Sequence, residues 1–202
     1  MDKGGGLETA EESRFNEEFP EELEARAGSR VDLGANGSPR FMRLVVPGKP
    51  QQWSRASRGQ NGPSFTPSNV VKQMDRLYLA WEHTMKARFV DETALMLHAG
   101  FFYERPKSHY GSGKNAGVLK AGFENKEPIG RPDIDNLVKL IGDSLSGHAF
   151  DDDSRITIGG QIKAYVPRGT ESQTVAVIQP STPTWRRLIL GELDMDLTEG
   201  QV

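Results

Sequence analysis

The chain has 202 residues, 36% of them hydrophobic, with 22 Gly, 12 Pro and no Cys. That length suits one domain with a core plus tails, and the missing cysteine excludes disulfides, thiolate zinc sites and a cysteine nucleophile. The formal net charge of -3 hides two regions of opposite sign: residues 1–40 hold ten Asp/Glu against five Lys/Arg, and residues 41–180 hold eighteen Lys/Arg against fourteen Asp/Glu.

Thirteen of those bases fall between Lys49 and Arg131. A basic body with an acidic arm hints at nucleic-acid contact, although most surface charge only solvates. No apolar run is long enough to span a membrane. The acidic N-terminus lacks the apolar stretch of a signal peptide, and a cytoplasmic location is expected.

In chain order, residues 1–40 read as a disordered acidic arm, with GGG, a Glu-rich stretch and the loop-like GANGSP. Phe41–Val46 reads as a first strand, stopped by Pro47-Gly48. A loop over Lys49–Gln60 carries Lys49, Arg55 and Arg58. Thr66-Pro67 is a helix start, with Thr66 as N-cap. Val70, Val71, Met74, Leu77, Tyr78, Trp81 and Met85 follow at helical spacing, predicting a helix that runs to Arg88 and packs on a core.

Ala94–Tyr103 is a second strand candidate. Glu104–Arg131 reads as a long polar loop holding Arg105, Lys107, Lys114, Lys120, Lys126 and Arg131, with Tyr110 and Phe123 interleaved. A structureless loop of that length is usually functional or disordered, and its six bases favour function. A second helix is expected over about Ile134–Ser146, with Ile134, Leu137, Val138, Ile141 and Leu145 on one face and Gly147 at its stop. Ile156–Val166 alternates as a strand, and Thr174–Gln179 is the last. The order β-α-β-loop-α-β-β predicts an α/β domain over residues 41–180, a small mixed sheet flanked by two helices. Residues 181–202 form a tail, too apolar at Trp185, Leu188 and Ile189 to read as simply disordered.

The chemistry concentrates in RPDIDNLVKLIGDSLSGHAFDDDSRI, residues 131–156. Asp133 and Asp135 stand at a helix entrance, where helix N–H groups favour negative charge. Capping alone is one explanation. Asp135, Lys139 and Asp143 follow at intervals of four, which also reads as an ordinary ion-pair ladder. The Asp151–Asp153 run arrives between the helix and the next strand. Were that turn to fold beside the helix start, several carboxylates would meet, and such crowding calls for a cation or protons. Oxygen-only donors suit magnesium or manganese. The four His are scattered, and D-x-D-N-L lacks the later Gly and Glu of a calcium loop. A carboxylate-held metal beside many bases points to a phosphate substrate, with Lys139 placed to stabilise charge building on it. Metal-assisted phosphodiester hydrolysis and a solvated acidic cap both remain open on spacing alone.

The same stretch resembles the core motif of the RusA family of Holliday-junction resolvases: an Asp-x-Asp-Asn pair, a helix with Lys and then Asp, and a later Asp-Asp before a strand. VPGKP, the Thr-Pro helix start and FFYERPKSHYGSGKNAGVLK also resemble the family, and the likeness covers roughly residues 41–180. It implies a dimeric, magnesium-dependent endonuclease, with manganese able to substitute, that resolves four-way DNA junctions by paired symmetric nicks. Asp133, Asp135 and Asp153 then match the metal-binding carboxylates and Lys139 the catalytic lysine. Asp152 matches the first Asp of the later pair and is a further candidate metal ligand, while Asp151 is extra. Lys49, Arg55, Arg58, Arg105, Lys107, Lys114, Lys120, Lys126 and Arg131 are the expected DNA contacts. The alternatives are a less selective flap or fork nuclease, and a branched-DNA-binding protein without catalysis. The acidic arm and the tail depart from the family pattern.

Overall fold

The computed structural model describes residues 28–54, 57–58, 64–90 and 92–182, with 57–58 and 64–65 as backbone only. Among the described residues nine strands and α-helices follow in order: β1 (Arg30–Leu33), β2 (Pro39–Pro47), β3 (Ser57–Arg58), β4 (Ser64–Phe65), α1 (Ser68–Glu82), β5 (Leu95–Tyr103), α2 (Ile134–Leu145), β6 (Ile156–Tyr165) and β7 (Gln173–Pro180). Five strands make one sheet in the order β1-β2-β7-β5-β6, and β3 pairs with β4 apart from it. Neighbours are antiparallel except β5 and β6, which run parallel and are joined by α2. The α/β mixed sheet with two helices is the architecture expected from the element order.

Alternation decides where the core sits. Met42, Leu44 and Val46 of β2, Leu95, Leu97, Ala99 and Phe101 of β5, and Ala176 and Ile178 of β7 share one sheet face and are buried together. Against them lie Val70, Leu77, Ala80 and Trp81 of α1 and Leu137, Leu140, Ile141 and Leu145 of α2. Phe89 and Phe150 are buried in the same core. On β6 the usual pattern inverts. Phe101 pairs with Lys163 and Leu97 with Gly159, so the helix-side face of β6 carries Gly159, Gln161, Lys163 and Tyr165. Ile158 and Ile162 point the other way, and Ile162 is 56% exposed.

Three local expectations change. Of the arm expected over residues 1–40, residues 1–27 lie outside the described residues, but β1 and the start of β2 fall within 28–40. The GANGSP segment is the turn of a β1–β2 hairpin: Gly34 N–H donates to Ser38 O at 2.8 Å and Gly37 N–H to Gly34 O at 2.9 Å, with Gly37 at φ 78°. Helix α1 starts with Pro67, not Thr66, at the N-cap, and no side chain caps it. It ends six residues before Arg88 because the Thr84 hydroxyl and N–H both donate to Trp81 O, at 2.6 and 2.9 Å. Met85 and Lys86 then turn to positive φ. Met85, expected on the core stripe, is therefore 71% exposed, and Phe89 fills the core instead. The 104–131 loop is also less irregular than expected, with short 3-10 turns at Lys107–His109 and Gly113–Asn115 and a bridge from Tyr110 to Leu119. The tail at Trp185, Leu188 and Ile189 lies outside the described residues. No helix among the described residues is long and apolar enough to cross a membrane.

Candidate active site

Helix α2 positions most of the candidate residues. Its buried stripe faces the sheet, leaving Asp135 and Lys139 exposed on the opposite side. Asp133 is the N-cap, with extended backbone at φ -72° and ψ 144°, yet its side chain accepts no capping hydrogen bond. The simple capping explanation therefore fails for Asp133: a conventional N-cap carboxylate would be bonded to an N–H of the first turn. Both carboxylates are exposed, beside the positive end of the helix dipole. One turn on, Lys139 Nζ lies 3.2 Å from Asp143 Oδ1 and 5.1 Å from the Trp53 ring centre. Trp53 N–H donates to Asn136 O at 2.9 Å, laying the residue 49–53 segment along the helix.

The three consecutive aspartates have separate partners. Asp151 forms an ion pair with Arg88 and lies 4.0 Å from Arg155, whose guanidinium also donates to Phe89 O at 2.7 Å and Thr93 O at 3.1 Å. Asp152 accepts from Ser154 N–H at 2.8 Å and caps the 3-10 turn Asp153–Arg155. Hydrogen bonding from the Ser154 side chain, then from its backbone N–H, holds the Asp152 carboxyl below its usual pKa. Asp153 is the one turned toward α2. Its Cβ lies 3.4 Å, and its Oδ2 3.5 Å, from where a Cβ would stand on Gly142.

Asp135, Lys139 and Gly142 recur at i, i+4 and i+7, so they share one helix face. Asp153 thus lies along the face that carries Asp135, but seven residues further, or about 10 Å along the axis. Among the described residues no three His, Asp or Glu side chains lie close enough to hold a metal together. The expected convergence of Asp133, Asp135 and Asp153 is therefore not formed in this structure. In kind the donors suit a hard cation: Asp133 and Asp135 offer only oxygen. Magnesium is commonly held by one or two carboxylates, with water and substrate phosphate completing its shell. The pair at the helix entrance fits that pattern, and Asp153 stands apart from it.

The expected DNA contacts divide. Arg55 lies outside the described residues and Arg58 is described as backbone only. Arg105 donates to Phe123 O at 2.7 Å and Glu124 O at 2.9 Å and stacks 5.2 Å from the Tyr165 ring. Lys120 donates to Ser108 O at 2.8 Å, and Lys126 lies over Phe123. These three bases hold the loop together. Lys49 and Lys107 line a cavity of about 530 Å³, and Lys107 also lines a second of the same size with Arg168. Lys114 and Arg131 are exposed. Arg168, which stacks over Tyr110 at 5.8 Å, is absent from the expected set because it sits in a segment that reads as a plain turn. His109 is buried between Phe123 and Tyr165 at 4.5 and 5.2 Å. Burial, then repulsion from Lys126, Arg105 and Lys120, lowers its pKa.

Residues 47–187 match the family described as Endodeoxyribonuclease RusA. The chain belongs to the RusA endodeoxyribonuclease family. The match covers more than half of the chain and contains both helices and the whole Asp133–Asp153 region. RusA membership carries endonuclease action on DNA of the Holliday-junction-resolving type, the resemblance already visible in the motif. No curated protein matches the chain.

Proposed function

We propose that this RusA-family chain is a magnesium-dependent endonuclease that resolves four-way DNA junctions as a homodimer by paired symmetric nicks. The observation carrying the proposal is the Asp133 carboxylate, set at a helix N-cap yet unused for capping, with Asp135 and Lys139 following on the exposed side of α2. Asp133 and Asp135 would hold the metal, and manganese has the same ligand preference. A bound magnesium ion supplies Lewis-acid polarisation of a phosphoryl oxygen. The Lys139 ammonium stabilises negative charge building on the scissile phosphate or its leaving oxygen. The Asp143 and Trp53 contacts restrain Lys139 on the helix surface. Asp153 is the third proposed catalytic carboxylate, approaching from the Gly142 side, while Asp152 holds its turn. Lys49, Lys107, Lys114, Arg131 and Arg168 are the proposed phosphate contacts, and these fix position without reading sequence. Two-fold pairing of copies would match the two equivalent strands of a junction.

The test is cleavage of an end-labelled four-way junction with magnesium by wild type and Asp135→Asn. Symmetric paired nicks by wild type, lost in the variant while junction binding persists, are expected. Cutting by Asp135→Asn at the wild-type rate would refute the metal-site assignment. The separation of Asp153 from Asp133 and Asp135 favours one rival, a junction-binding protein without catalysis. Binding unchanged by magnesium, with no cleavage by folded wild type, would establish that rival.

A further inference from the structure

Lys163 lies in the middle of β6, opposite Phe101 of the core, so its side chain projects to the helix side of the sheet. Its Nζ donates to Gly130 O at 2.6 Å and to Pro132 O at 2.9 Å. These two carbonyls flank Arg131 and stop one residue short of Asp133. No ion pair among the described residues includes Lys163. Its charge is directed to backbone oxygens, not to an acid.

The turn it grips has little else to hold it. Ile129 is 91% exposed, and Gly130 and Arg131 are exposed as well. The hydrogen bonds donated within this stretch are local, from Lys126 N–H to Phe123 O and from Ile129 N–H to Glu127 O. Asp133 is itself outside the regular helix, with extended backbone and a side chain that makes no cap. Only its carbonyl is fixed from the helix side, by Leu137 N–H at 3.2 Å. From the sheet side the hold is Lys163.

We propose that Lys163 is a positioning residue for the nuclease site: it ties the Gly130–Pro132 turn to β6 and thereby sets where the Asp133 carboxylate stands beside Asp135. The inference rests on the reading of Asp133 and Asp135 as metal carriers. An ammonium has three rotatable donors, so one side chain can grip both carbonyls at once. A methionine of similar length keeps the apolar stem and removes both bonds. An arginine keeps the donors.

The test compares wild type, Lys163→Met and Lys163→Arg as full chains. Manganese binding to the DNA-free protein is measured by calorimetry, backbone hydrogen exchange over residues 128–136 by mass spectrometry, and junction binding without metal by gel shift. Removing a group that orients a metal ligand typically weakens metal affinity by about tenfold or more. Lys163→Met is expected to weaken manganese binding by about that factor and to speed exchange over 128–136. Its junction binding stays at the wild-type level, and Lys163→Arg recovers most of the loss. Wild-type manganese affinity and exchange in a folded Lys163→Met would overturn the inference and leave the proposed function standing. Equal losses of melting temperature, junction binding and manganese binding would also overturn it, in favour of a purely structural lysine. Should Lys163→Met fail to fold, Lys163→Gln carries the same comparison, since its amide can donate to one of the two carbonyls. Absence of manganese binding and of junction cleavage in wild type would instead refute the proposed function, and this inference with it.

Discussion

Gly142 lies in the last turn of α2, where its carbonyl accepts the N–H of the C-cap Ser146; in a helix interior glycine is disfavoured relative to alanine by about 1 kcal/mol. What the glycine allows is visible beside it. A Cβ there would stand 3.4 Å from Asp153 Cβ and 3.5 Å from Asp153 Oδ2, ordinary van der Waals contact. Alanine therefore fits without moving the aspartate turn, and the helix gains its propensity. Gly142→Ala should raise stability by up to about 1 kcal/mol, roughly 2–4 °C in melting temperature for a chain of this size. Valine or leucine adds carbons that must enter the space of Asp153 itself. Overpacking of that kind costs about 1–3 kcal/mol, and relief by displacing Asp153 would reduce junction cleavage. The assay is thermal unfolding beside cleavage of a labelled junction for Gly142→Ala and Gly142→Leu. The expected pattern is a more stable alanine variant with cleavage retained, and a leucine variant impaired in both. If Gly142→Leu were as stable and as active as wild type, Asp153 would not lie against α2, and its proposed catalytic role would lose its structural basis.

The uncapped Asp133 gives a second contrast. Asp133→Asn should abolish junction cleavage while lowering the melting temperature little, because only the interaction with the helix dipole and no capping bond is lost. Asp152→Ala should lower the melting temperature, because Asp152 accepts the Ser154 N–H; the reverse ranking of the two melting temperatures would contradict these assignments. His109 gives a pH prediction. Its folded pKa lies below the ordinary 6.5, so as pH falls the unfolded chain takes the proton first. Its stabilising contribution is complete above that ordinary value and declines as pH drops from about 6.5 toward the lowered folded value. Thermal unfolding between pH 5 and 8 should show this decline in wild type, and less of it in His109→Phe; identical profiles would show that His109 does not sense pH.

Much of the fold was legible because its periodicities are strong. Ile134, Leu137, Ile141 and Leu145 defined α2 from spacing alone, and the alternation in β5 and β7 matches their burial. The misreadings have local causes. Thr84 competes for a helix carbonyl, an effect that hydrophobic spacing does not register, so α1 stops short. GANGSP carries turn chemistry whether it ends a disordered arm or closes a hairpin; the deciding fact is the pairing of Val31 with Met42, a tertiary contact. At the candidate site, the sequence nominated residues for the chemistry but not how they are arranged. Three adjacent aspartates look equivalent in a string. Arg88, 63 positions from Asp151, the Ser154 amide and the bare backbone of Gly142 make them different. Lys163 was invisible for a related reason. An isolated lysine in an alternating strand reads as solvent-facing, and only its pairing with Phe101 turns it inward.

The basic loop teaches the opposite caution about counting charge. Six bases between Arg105 and Arg131 suggest six phosphate contacts, but Arg105, Lys120 and Lys126 already bind Phe123, Glu124 and Ser108 within the loop. Lys107, Lys114 and Arg131 have no such ties among the described residues, and Lys107 lines both cavities. An arginine fixed to two carbonyls can still add to the local potential, which acts over about 8 Å at physiological salt. With two of its five N–H donors committed to those carbonyls and its guanidinium stacked on Tyr165, Arg105 has fewer donors left for a phosphate than a free arginine. The loop is therefore better understood as a scaffold built from cations, with its uncommitted charges at the rim. A basic stretch that shapes itself in this way keeps its positive field even where few of its members can touch DNA.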